Sequence, residues 1–189
     1  MGVGSNFRKR AKMKKIILVL IVLSLQQSFY AQSCEKITFE IRNEVDKIKN
    51  ENKKEEKTVR DPHYKIRITT YGKNLIEYDR VYEKYYHFNH TYLVNNDTIK
   101  YFHEKGQSTS VSTGKVNEKA SYGDLYDVEY YFTDINKGFK YEKRVHLFRG
   151  NNLQDKQIKL NELEYTITEV NNSDYNSIYK FYKVHIKNK

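Results

Sequence analysis

The chain has 189 residues, with 34 Lys and Arg against 24 Asp and Glu, a formal net charge of +10 and a single cysteine. That length suits one domain of ordinary size, and one thiol excludes an internal disulfide. Six of the 34 basic residues (Arg8, Lys9, Arg10, Lys12, Lys14 and Lys15) and no acidic ones lie before position 34; setting them aside leaves 28 against 24, and a net +4 removes most of the case for nucleic acid as a partner.

The first 33 residues read as a secretory leader. A basic start is followed by the ten-residue run Ile16 to Leu25 and then by the more polar QQSFYAQS. A stable membrane anchor needs about 20 apolar residues, so a run of ten points to a cleaved signal. Met13, followed by Lys14 and Lys15, offers a tidier start than Met1. Cys34 closes the segment Ala31-Gln32-Ser33-Cys34, which resembles a bacterial lipobox. Ser33 fits that pattern, whereas Ala31 stands where leucine is usual and Gln32 where a small or β-branched residue is usual. The resemblance implies lipidation at Cys34, and with it membrane attachment. Cleavage after Ala31 competes with it.

From Glu35 the chain predicts an amphipathic helix to about residue 57. Ile37, Ile41, Val45 and Ile48 share one helical face, and the run beyond Asn50 is polar. Asp61-Pro62 is expected to end this helix, because the residue before a proline is pushed out of the helical region.

After Pro62 the period becomes two. Tyr64, Ile66 and Ile68 alternate with Lys65, Arg67 and Thr69, and Gly72-Lys73-Asn74 turns the chain into a strand from Leu75 to Asp79. In the next hairpin, Tyr86, Phe88, His90, Tyr92 and Val94 share a face, as do Ile99, Tyr101 and His103. A turn at Asn96-Asp97 makes the two faces coincide, pairing Val94 with Ile99, Tyr92 with Tyr101 and His90 with His103. A turn at Asn95-Asn96 would instead set His90 against Tyr101. GQSTSVSTGKVNEKASYGD, residues 106–124, reads as a long polar loop. Val128, Tyr130 and Phe132 then alternate, and a four-residue loop Ile135 to Gly138 would pair Phe132 with Tyr141 and Val128 with Val145. A last hairpin is expected from QIKLNELEYTITEV and SIYKFYKVHIK across NNSDYN. Its terminal Lys180, Lys183, Lys187 and Lys189 read as a solvated strand edge.

The expected fold is therefore α+β. An N-terminal amphipathic helix, about 35–57, packs on a curved, half-barrel-like antiparallel meander of seven or eight strands over 63–187. Residues 34–189 form one domain after a cleaved 1–33.

Function is less legible. No Gly-x-Ser-x-Gly, His-Glu-x-x-His, Walker-type loop or Gly-x-Gly-x-x-Gly occurs, so no catalytic residue is assigned and no cofactor is implied. His90 and His103, if opposed, supply two imidazoles, but a zinc site wants three or four ligands. His87 points to the other face and Glu104 faces away from His103. Tyr85, Tyr131 and Tyr179 fall opposite their strands' main apolar stripes, where exposed rings would stack on a sugar or an apolar partner. The plan resembles small, signal-bearing, β-rich proteins of bacterial envelopes, without a motif that transfers residues. The expected function is an exported, non-enzymatic envelope binding protein. Its tyrosine-rich sheet face or concavity would hold a glycan, lipid or protein partner. A secreted hydrolase with a dispersed His/carboxylate site and a periplasmic lipid-carrier-like half-barrel are the alternatives.

Overall fold

The fold is taken from a computed structural model that describes residues 4–82, 86–113, 119–135, 137–149 and 164–187. The chain divides into two compact units, Met1–Arg42 and Asn43–Lys189. The first consists of helix α1 (Gly4–Glu51) up to Arg42. Ile16 to Leu23 and Leu25 are exposed along it. The stretch of α1 from Lys15 onward is, by length and composition, long and apolar enough to cross a membrane. A signal sequence passes the same test.

The second unit holds the end of α1 and an eight-stranded antiparallel sheet in simple sequential order. Its strands are β1 (Lys54–Arg60), β2 (Lys65–Tyr71), β3 (Leu75–Tyr82), β4 (Tyr86–Asn95), β5 (Thr98–Thr113), β6 (Lys119–Asp134), β7 (Lys137–Arg149) and β8 (Thr166–Val170). The meander is open and does not close into a barrel. Helix α2 (Asn172–Tyr182) follows, continued by a wider π-helical turn, Lys183–Lys187.

The α+β plan and the meander are as the sequence predicts, but several local expectations are corrected. The helix stops at Glu51, where the Asn52 side chain donates to the Ile48 carbonyl at 3.0 Å, rather than near 57. Lys54–Arg60 pairs instead with β2 as an edge strand, nearly all of it exposed. A lysine- and glutamate-rich edge suits that place because charge discourages further strand addition. Asp61-Pro62 therefore turns β1 into β2. The Asp61 carboxylate accepts from the amides of His63 and Tyr64 at 2.9 and 3.0 Å, an Asx turn that substitutes side chain for backbone.

The expected polar loop at 106–124 is largely strand. β5 and β6 extend through it in unbroken register to Thr113 opposite Lys119. The second hairpin turns tightly, with Asp134 opposite Lys137, and an irregularity between Phe132 and Asp134 sets Tyr131 against Phe139 and Val128 against Glu142. The anticipated pairs Phe132–Tyr141 and Val128–Val145 do not form.

The expected last strand is helical. Asn171 caps α2 through a capping box: its side chain accepts from Ser173 and Asp174 amides at 2.8 and 3.3 Å, and Asp174 returns a bond to the Asn171 amide at 3.0 Å. Tyr175, Ile178, Tyr182 and Ile186 are then buried at spacings of three, four and four, the helical period. They pack with Ile66, Ile68, Tyr78, Phe88, Tyr92, Val94, Ile99, Phe102, Phe132 and Val170 into one aromatic-rich core on a single face of the sheet. Full burial of each such side chain contributes roughly 1.5–3 kcal/mol. The basic end of the chain is thus not a strand edge, and Lys187 reaches Asp97 at 2.7 Å.

On the opposite face Leu75, Leu93, Tyr101, Tyr131 and Phe139 are buried. The last turns of α1 carry the buried Val45 and pair Lys49 with Glu77 of β3 at 2.7 Å.

Candidate functional site

The position of the histidines depends on one residue. The Asn96-Asp97 turn forms as predicted, with φ of 47° and 60°, and Val94 does face Ile99. A bulge between Leu93 and Val94 then puts Leu93 opposite Tyr101, so Lys100 is the extra residue. Every later pair slips by one: Tyr92 meets Phe102, His90 meets Glu104 and Thr91 meets His103. His90 and His103 consequently lie on opposite faces and cannot share a metal ion. Among the described residues no group of three or more His, Cys, Asp or Glu side chains is placed to hold one. His103 instead sits 2.7 Å from Asp127, and His87 2.8 Å from Asp79.

Of the three expected binding tyrosines, two fall among the described residues, and these do not share a surface. Tyr85 lies outside the described residues. Tyr131 is fully buried, stacked on Phe139 with centroids 5.0 Å apart. Tyr179 is on α2, not on the sheet, stacked between Tyr175 at 5.8 Å and Tyr182 at 6.3 Å. Cys34 lies within α1.

What the fold does assemble is a cleft of about 270 Å³ where α2 crosses β4, β5 and β6. The strands contribute His90, Tyr92, Phe102, Glu104 and Tyr130; α2 contributes Asp174, Ser177, Ile178 and Phe181. The rings stand close and steeply inclined: His90 to Phe102 at 5.0 Å and 77°, His90 to Phe181 at 4.9 Å and 69°. Tyr92 and Phe102 lie 4.8 Å apart. A wider depression of about 780 Å³ borders the β1–β2 turn. In it Arg67 pairs with Asp79 at 3.2 Å and Asp61 is engaged in its turn; the cleft under α2, walled by aromatic rings from separate elements, is the better candidate.

The electrostatics of the cleft follow from burial. His90 is buried, and loss of hydration, with the charges of His103 and His185, pushes its pKa down to about 3. The imidazole is therefore neutral at physiological pH. Its Nδ1 lies 3.2 Å from the Tyr92 hydroxyl, and its Nε2 3.9 Å from Glu104 Oε2, beyond direct hydrogen-bond reach. Burial also raises the Glu104 carboxyl above its ordinary range; the charge of Glu142 adds to this, while Arg144, Lys140 and a hydrogen bond donated by Tyr130 work against it. Burial, with the Glu104 charge, likewise raises the Tyr92 and Tyr130 phenols, so both stay protonated.

Sequence reasoning missed Glu104, Asp174, Ser177 and Phe181. It placed Glu104 correctly on the face away from His103, yet without the bulge that face was not the face of His90. Asn171 followed three residues later by Asp174, then tyrosine and isoleucine at helical spacing, was the available signal for α2.

The fold and cleft define an α+β protein with an open antiparallel meander, one face roofed by a C-terminal helix. Compared with protein-family models, curated proteins and solved structures, the chain matches none.

Proposed function

We propose that this chain is an exported, non-enzymatic binding protein of the bacterial cell envelope and that the cleft under α2 is its binding site. The observation that carries the reading is the lining: apolar and aromatic walls with a few convergent polar groups, in a concavity formed by separate elements. Export rests on the basic start and apolar run of α1. Of the glycan, lipid and protein partners that the sequence suggested, a compact ligand such as a single sugar or a headgroup suits the volume best. A long acyl chain has less support, because Tyr175, Ile178 and Tyr182 fill the space between α2 and the sheet.

The test is a saturation-transfer NMR screen of the full chain against small sugars, aromatic compounds and amines. Ser177 is exposed at the mouth of the cleft, so Ser177→Phe narrows the entrance without touching the core. Hits that Ser177→Phe loses support the reading; hits that it keeps, or a screen without hits, overturn it. Mass spectrometry of the mature N-terminus reads the export arm: a terminus near residue 32 or a lipidated Cys34 supports it, and an intact Met1 or Met13 overturns it.

One observation favours a hydrolase as the second reading. A neutral histidine and a carboxyl of raised pKa face one another in a cleft, as acid–base chemistry requires. Against it, the cleft's hydroxyl nucleophile candidate, Ser177, is engaged with the Ser173 carbonyl at 2.8 Å. Turnover of ester or glycoside substrates that Glu104→Gln abolishes would establish this reading over the first.

A further inference from the structure

The charge in the cleft has one sign. Glu104 and Asp174 line it, and among the described residues no Lys or Arg does. Lys140 and Arg144, the neighbouring cations, are both held by Glu142, at 2.7 and 3.0 Å. Asp174 is partly committed, since it accepts from the Asn171 amide at 3.0 Å, and so supplies charge more than contact. Glu104, which accepts from the Tyr130 hydroxyl, faces the cavity opposite the uncharged His90, and among the described residues no Lys or Arg contacts it.

Apart from Ser177 and Ile178, the remaining wall is ring surface. Tyr92, Phe102, Tyr130 and Phe181 surround the space together with His90. Aromatic faces carry partial negative charge and attract a cation strongly once both are shielded from water. An anionic ligand would meet two carboxylates. A neutral ligand would leave the half-buried Glu104 carboxylate with the Tyr130 hydroxyl as its partner and no opposite charge in the cleft.

We propose that the cleft between α2 and the sheet binds a small organic cation, its ammonium group enclosed by the rings of Phe102, Tyr130 and Phe181 and neutralised by the Glu104 carboxylate. This rests on the cleft being the binding site. The volume of about 270 Å³ accepts a molecule the size of choline. A bound cation would also offset the burial that raises the Glu104 carboxyl, so binding and ionisation of Glu104 reinforce each other.

The test compares choline with its uncharged isostere 3,3-dimethylbutan-1-ol by calorimetry and NMR on the full chain. The expected result is that choline binds at least tenfold more tightly than the alcohol, and that Glu104→Gln and Phe181→Ala each weaken choline at least tenfold. Glu104→Gln keeps the shape of the side chain, and an unchanged circular dichroism spectrum confirms its fold. Equal binding of the two probes, or choline binding unaffected by Glu104→Gln, overturns the cation but leaves the cleft as a site if Ser177→Phe still blocks it. Absence of choline binding overturns the cation as well, while neutral hits that Ser177→Phe loses would leave the cleft standing. Phosphatidylcholine vesicles separate the two sources of such a group. Capture that free choline and Glu104→Gln both abolish assigns the lipid headgroup; binding of free choline without such capture assigns a soluble cation.

Discussion

His90 and Glu104 stand directly opposite one another on β4 and β5, with Nε2 3.9 Å from Oε2, although the spacing of the hairpin had set His90 against His103. The bulge at Lys100 makes this neighbour. It gives the protein its one cleft-facing arrangement of a neutral imidazole beside a poorly solvated carboxyl among the described residues.

Acid stability should register His90. Above its unfolded pKa of 6.5 the imidazole is neutral both folded and unfolded. As pH falls from there to about 3, the unfolded chain takes up a proton that the folded chain refuses, so stability declines, and the loss is complete below the folded value. It is on the order of several kcal/mol. Glu104 works in the other direction: its raised carboxyl binds a proton earlier in the folded state, adding stability as pH falls through that window. Urea midpoints measured across this range should fall on the acid side for the wild type and flatten for His90→Gln. A midpoint trend unchanged by the substitution would falsify the burial of a neutral His90.

Tyr175 ties α2 to the start of β5. Its hydroxyl accepts from the Ile99 amide at 3.2 Å across 76 residues, at a buried position. Tyr175→Phe keeps the ring and removes the acceptor, leaving a buried amide unsatisfied at a cost of about 1–3 kcal/mol. Chemical denaturation should report that loss, together with faster hydrogen exchange at the Ile99 amide than at its neighbours.

The Asn171 cap fixes where α2 begins. Asn171→Ala removes the acceptor of the Ser173 and Asp174 amides and should cost about 1 kcal/mol. Because α2 roofs the cleft, ligand affinity should fall with it, whereas an exposed control such as Lys180→Ala should change neither. Equal stability of Asn171→Ala and wild type would remove the capping box from the account.

Gly138, the second residue of β7, lies where the chain is crowded. A Cβ there would run into the Tyr131 carbonyl oxygen and approach Val170 Cγ2 at 2.9 Å and Phe132 Cα at 3.1 Å. The first obstacle is backbone within the sheet and cannot rotate aside. Gly138→Ala should therefore destabilise by roughly 1–3 kcal/mol, by the cost of overpacking a filled site. A melting temperature within a degree of wild type would show that the β6–β7 turn is looser than drawn.

Much of the plan was legible because it is local. Alternation of Ile66, Ile68 and Tyr78 with polar neighbours states which residues are interior, and Asn96-Asp97 states where a hairpin reverses, since few residues accept positive φ. The basic and apolar start of the chain is equally local, and its helix is observed, while export remains a proposal. The site was not legible for the same reason. His90 could be assigned to a strand, but not to a partner.

The sequence by itself determined a period-two chain after Pro62, folded as an antiparallel meander, with an apolar helix before it. Only the tertiary structure decided the registers, the helical state of Asn172–Tyr182 and hence the cleft. A bulge adds one residue on one strand and has no fixed local signature; the fit of Tyr92 against Phe102, and of the faces beyond, selects it. Residues 178, 182 and 186 satisfy a period of two as well as a helical one, so local pattern leaves that segment open. Burial of Tyr175 in the same core resolves it, because a residue three positions before Ile178 shares its face on a helix and opposes it on a strand.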